Sequence, residues 1–154
     1  HATMLWVPVL SSLMVSLNSA SFTRVLGLLL KSGIKIVEAL TITASTLENL
    51  VYRRALVRFT DGVRRGEQLV TFLSKEKHLF PPLLSGMVGV GENTGNLEDN
   101  LIYLSEYYTD EVSGRLKNLT SLLEPLLLIV MGLVVGFVAV SIILPIYQVT
   151  STVK

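Results

Sequence analysis

The residues able to do acid–base or metal chemistry are few and poorly spaced for it. The 154 residues contain two histidines and no cysteine. Without cysteine there are no disulfides, no thiolate metal sites and no cysteine nucleophile. His1-Ala2-Thr3-Met4 reads as a tag remnant ahead of an internal fragment, which leaves His78 alone in a polar stretch. A serine triad would need His78 as its base, and nothing in the local sequence supports one. No HExxH helix or EF-hand loop occurs. The adjacent carboxylates Glu98-Asp99 and Asp110-Glu111 point in different directions if helical, so caps and solvated faces explain them better than catalysis. No cofactor or metal is expected from these residues.

Two further clusters suggest binding rather than catalysis. Gly86, Gly89, Gly91 and Gly95 resemble a phosphate loop in composition only. They lead into Asn96-Leu97 instead of Gly-Lys-Ser/Thr, and no strand precedes them, so turns and close packing are the expected roles. Arg53, Arg54, Arg58, Arg64 and Arg65 fall within one short stretch, with Arg54 and Arg58 four apart on one helix face. A solvated face is the simplest account of them. The functional readings are an acidic protein partner or anionic lipid headgroups. Nucleic acid is not expected, because no aromatic platform accompanies the arginines and the net charge is only +1.

The elements that carry these residues are helical throughout. Leu5–Ser12 contains Pro8 and reads as a lead-in. From Leu13 to Lys31, apolar residues recur at three and four positions until Ser32-Gly33 stops the helix. Helices are expected over Lys35–Leu47, then on to Arg64, with Gly66 as a break and a short helix over Glu67–Leu73. Ser74–Phe80 reads as a loop. Pro81-Pro82 opens a helix bearing Leu83, Leu84, Met87, Val88 and Val90. Gly91-Glu92-Asn93-Thr94-Gly95 reads as a turn. Asn96, with Asp99 three positions on, can cap a last helix striped by Leu97, Leu101, Leu104 and Tyr108.

Half of the chain is hydrophobic and 16% is charged, well under the ~25% of soluble domains. Much of the apolar excess lies late in the sequence. Leu126–Leu144 carries no charge and would span roughly 28 Å as a helix, close to the ~30 Å hydrocarbon core of a bilayer. Glu124-Pro125 marks its start, and Pro145 is expected to bend or end it. Gly132 and Gly136 form a GxxxG, a spacing that lets membrane helices pack closely. Arg115 and Lys117 before the span outnumber Lys154 after it, which puts the bundle side in the cytoplasm. The start of the chain lacks the basic residues, long apolar run and small-residue cleavage site of a secretory signal.

The order of these pieces resembles the family of type II secretion F proteins and type IV pilus-assembly platform proteins. The resemblance runs from Val7 to Tyr147. It rests on Val7-Pro8-Val9, Phe22-Thr23-Arg24, Leu28-Leu29, Ser32-Gly33-Ile34, Ala39-Leu40, Gly66 with Leu69, and Phe80-Pro81. Its most specific part is Gly91-Glu92-Asn93-Thr94-Gly95-Asn96-Leu97; Glu124-Pro125, Gly132, Gly136 and Leu144-Pro145-Ile146 complete it. Ser11 stands where the family's lead-in usually has glycine.

Together the residues and the resemblance set the following expectations. The fold is all-α, an antiparallel bundle of about six helices whose last helix continues into a transmembrane helix. The expected divisions are residues 1–12 for tag remnant and lead-in, 13–122 for a cytoplasmic bundle, 123–147 for the membrane helix and 148–154 for a short extracytoplasmic tail. The resemblance implies a non-enzymatic platform in the bacterial inner membrane. Its implied partners are an assembly ATPase, pilins or pseudopilins and other inner-membrane assembly proteins. Self-association into a homo-oligomer is expected from the GxxxG and the scaffold role. Glu92 and Gly95 are expected to fix the turn where the last helix meets the one before it. The alternative is a membrane-anchored adaptor or signalling bundle, which would bind a soluble regulator instead of pilins.

Overall fold

The computed structural model describes residues 3–151, with side-chain surroundings for 11–141 except 119 and 122. Six helices follow one another: α1 Thr3–Lys31, α2 Ile36–Thr46, α3 Leu50–Arg64, α4 Leu69–Leu73, α5 Pro82–Thr94 and α6 Leu97–Ser151. No strand occurs among the described residues. By internal contacts the chain divides into two units, His1–Ser113 and Gly114–Lys154.

Local chemistry sets the helix ends in the first unit. The Asn49 side chain accepts a hydrogen bond from the Val51 amide at 2.9 Å and so caps α3. Pro82 occupies the first turn of α5, where a missing N–H costs nothing. Helices α1, α3 and α5 stop alike. The amides of Ile34, Glu67 and Asn96 reach back five residues to the carbonyls of Leu29, Gly62 and Gly91. Each such end needs a residue at positive φ, and Gly33, Gly66 and Gly95 supply it.

The core of this unit draws on every helix: Leu26 from α1, Leu40 from α2, Leu56 from α3, Leu69 and Leu73 from α4, Leu84 and Val88 from α5, Leu101 and Leu104 from α6. At its centre is Phe80, fully buried although it lies outside any helix. Its ring centroid stands 5.4 Å from Phe22, 5.3 Å from Tyr52 and 5.6 Å from Phe59. The Tyr52 hydroxyl also donates to the Leu79 carbonyl at 2.7 Å. The 74–81 connection is thus pinned into the core, which its polar sequence did not suggest.

Within this unit, α1 and the first part of α6 run antiparallel. Ser16 Oγ donates to Glu111 Oε2 at 3.1 Å, Arg24 Nη2 donates to Thr109 Oγ1 at 2.9 Å, and Lys31 Nζ lies 3.6 Å from Asp99. A Cβ on Gly27 would come within 3.0 Å of the Leu101 side chain, so glycine there sets how closely the two helices approach.

The second unit consists of the later part of α6. Leu126–Ser141 holds no charged residue and every described side chain in it is exposed. Helix α6, which carries this stretch, is long and apolar enough to cross a membrane within its described residues Leu97–Ser141. Residues 11–31 of α1 pass the same measure of length and composition, but they line the core through Phe22, Thr23 and Leu26.

Three expectations change. The lead-in is helical: α1 begins at Thr3 and takes in Pro8. Proline forfeits one hydrogen bond six residues into the helix, and α1 continues on both sides of that loss. Gly91–Thr94 is the last turn of α5, and only Gly95 leaves the helix, because the single left-handed residue is enough to end it. Of the two outcomes expected at Pro145, the helix end does not occur, since α6 runs on to Ser151. Residues 152–154 of the expected tail lie outside the described residues.

Candidate functional site

The signature residues meet at the junction of α4, α5 and α6. Helix α4 has only five residues, too few to form without help from its surroundings. Its free amides are bound by Glu92, from the last turn of α5. Glu92 Oε1 accepts from the Leu69 amide at 2.7 Å, and Oε2 accepts from the Val70 amide at 2.9 Å. A carboxylate there satisfies two orphan donors and also suits the positive end of the short helix. Next to it, Gln68 Nε2 donates to Asn93 Oδ1 at 3.3 Å.

Two glycines leave room for α4. A Cβ on Gly89 would come within 3.0 Å of Val70, and one on Gly62 would overlap the Phe72 ring, which stacks on Phe59 at 5.5 Å. Leu69 and Leu73 then reach full burial.

Gly91 brings the start of α6 close. A Cβ there would sit 2.7 Å from the Leu97 Cα, which is backbone and cannot swing aside. Asn100 Nδ2 donates to the Met87 carbonyl at 3.0 Å and ties α6 to α5 again. The carbonyl of Asn96 accepts from the Asn100 amide, which opens α6, while Asp99 lies toward Lys31 rather than closing a capping box. Gly91, Glu92, Gly95, Asn96 and Leu97 are therefore all at one junction, with distinct tasks.

The five arginines are not equivalent. Arg53 donates through Nε and Nη2 to the Leu47 carbonyl, at 3.2 and 2.9 Å, and so closes the end of α2. Arg58 pairs with Glu76 at 2.9 Å, Arg65 with Glu67 at 3.1 Å and Arg64 with Asp61 at 3.5 Å. Arg54 is exposed and has no partner among the described residues.

In the second unit, Glu124 and Pro125 are exposed on α6, and Gly132 and Gly136 have open space where a side chain would be. The side-chain surroundings of Pro145 lie outside the described residues. His78, the sequence's one candidate base, is exposed with Nε2 3.4 Å from Glu76 Oε2. Among the described residues no three His, Cys, Asp or Glu side chains come together as a metal site.

The sequence aligns with the family model described as Type II secretion system (T2SS), protein F, over residues 22–145. The chain belongs to this family. It is 36% identical over 146 residues to Type IV pilus assembly protein PilC of Thermus thermophilus, covering 95% of this chain and 36% of that protein. It is 32% identical over 150 residues to the PilC of Myxococcus xanthus, covering 97% and 36%. Type II secretion system protein F of Pseudomonas aeruginosa matches at 33% over 146 residues, covering 95% and 36%. The chain thus spans just over a third of the length of these relatives.

The region shared with the T2SS protein F family begins at Phe22, a neighbour of the buried Phe80, and ends at Pro145. It takes in the whole α4–α5–α6 junction and the apolar stretch of α6. Sequence reasoning found the junction residues but not what they hold. Asn100 escaped it, and Phe80 entered only through the resemblance and not as a core residue, because a lone aromatic in a polar loop and an asparagine within a helix carry no local sign of long-range contact.

Proposed function

We propose that this chain is part of a non-enzymatic platform in the bacterial inner membrane that serves type IV pilus assembly or type II secretion. Membership of the T2SS protein F family carries the reading. The uncovered apolar stretch of α6 supports the membrane location, since so long a run of exposed Leu, Val and Ile needs a lipid or protein surround. Arg115 and Lys117 ahead of it favour a cytoplasmic bundle.

In this account the platform links a cytoplasmic assembly ATPase to pilins or pseudopilins. Residues 13–122 form the cytoplasmic bundle, 123–147 the membrane helix and 148–154 the extracytoplasmic tail. Gly91 and Asn100 hold the first turn of α6 against α5, so a push on the bundle is passed into that helix instead of being lost in a loose joint. Glu124 and Pro125 mark where α6 meets the bilayer edge, Pro145 lies near the far edge, and Gly132 and Gly136 form a face for a second membrane helix. The arginine stretch is the partner-facing surface, and Arg54 is unpaired in it among the described residues.

Co-purification tests the motor link. The membrane-embedded chain should retain the host's assembly ATPase at low salt and lose it progressively across a salt series. Failure to retain it at any ionic strength would remove the coupling role.

A further inference from the structure

Two helix faces of the first unit are exposed, apolar and opposite in charge. On α3, Leu50, Val51 and Val57 are each more than half exposed and surround Arg54 at offsets of three and four. On α6, Tyr103 is 58% and Tyr107 43% exposed. Glu106 and Asp110 lie on that same face, exposed and without partners among the described residues. Each face runs over seven residue steps, about 10 Å of helix.

The details of the two faces match. Beside Val57, a hollow of about 140 Å³ opens between α2 and α3, rimmed by Thr41, Thr60 and the Asp61–Arg64 pair. That is room for several waters or one aromatic ring, with hydroxyls placed to meet a phenol. Exposed tyrosines are typical anchors of protein interfaces. Arg54 would meet Glu106 or Asp110, while Asp61 is already held by Arg64.

We propose that the α3 face of one copy receives the α6 face of a second copy. The two surfaces differ, so the contact is head-to-tail and links copies into a ring or a row. The charges argue against a lipid occupant. Anionic headgroups would suit Arg54 but would be repelled by Glu106 and Asp110. This inference rests on the platform role proposed above and on the self-association expected from the sequence, but it places the contact on the bundle and needs neither Gly132 nor Gly136.

The absence of cysteine in this chain permits a clean test. Val57→Cys is combined in one chain with either Tyr103→Cys or Tyr107→Cys, inserted in a bacterial membrane and oxidised. The contact predicts a ladder of dimers, trimers and larger species with at least one of these pairs, and monomer with Leu28→Cys in place of Val57→Cys. Arg54→Glu should reduce the ladder at least about tenfold, and adding Glu106→Lys with Asp110→Lys in the same chain should restore it. Gly132→Leu with Gly136→Leu should leave it intact, which separates this contact from self-association within the membrane. Monomer with both pairs would overturn the proposal. So would a ladder indifferent to charge reversal, disulfide dimer from Val57→Cys alone at a yield equal to that of the pairs, or a ladder that requires anionic lipid.

Discussion

Replacing Glu92 by alanine should release α4 from the bundle. The carboxylate accepts two amide hydrogen bonds, at 2.7 and 2.9 Å, from the first residues of a five-residue helix. A hydrogen bond to a charged group contributes about 1.5–3 kcal/mol. Glu92 is partly exposed, so the lower end applies and the pair contributes about 2–4 kcal/mol in total. A helix of one turn has little intrinsic stability to absorb that loss. Amide exchange read by mass spectrometry on the membrane-embedded chain is the suitable assay. Peptides covering 69–73 should exchange about 30- to several-hundred-fold faster in Glu92→Ala, while α1 and α3 change far less. Glu92→Gln keeps a neutral acceptor and should fall between the two. Unchanged exchange over 69–73 would refute the idea that Glu92 holds α4.

Gly95→Val should abolish filament assembly or secretion while Gly95→Asn retains most of it. Beyond its two chain neighbours, nothing among the described residues lies within 4 Å of a Cβ at that position, so only the left-handed backbone at φ +75° discriminates. Equal activity of the two variants in a complementation assay would show that this conformation is not required. Stability should also fall at alkaline pH. Burial pushes the Tyr52 phenol up to about 12, and it raises Tyr108 above the usual phenol range as well, with the Glu111 charge adding. A phenol raised on folding contributes its full stability below the unfolded value near pH 10, and that share is lost as pH rises through the folded value. Thermal stability should therefore fall between pH 10 and 12, and Tyr52→Phe should flatten part of that slope. A slope identical to the parent's would dismiss Tyr52 as a contributor.

How far the sequence could be read depended on how local each cause was. The charge-free run after Glu124 and the glycines at 33, 66 and 95 act through their own neighbourhoods, and the structure has an apolar helix and three helix ends there. The run Gly91–Thr94 misled, because glycine signals a turn in isolation, whereas here Gly91 admits the backbone of Leu97 and stays helical. Pro8 misled for a related reason: a long helix such as α1 can absorb one missing hydrogen bond. The arginines looked like one patch, since the acids that neutralise Arg58 and Arg65 come from beyond α3, at Glu76 and Glu67. Glu92 was recognisable as a structural acceptor, but its donors lie more than twenty residues earlier in the chain. No local pattern contains that distance.

The platform role itself is tested most directly by deleting the gene in its own host, then imaging surface filaments and assaying exoproteins in the same culture. Loss of filaments is expected if the chain serves type IV pili, and loss of exoproteins with filaments intact if it serves type II secretion. Unchanged filaments and unchanged secretion, in a host with no second copy of the gene, would contradict the account.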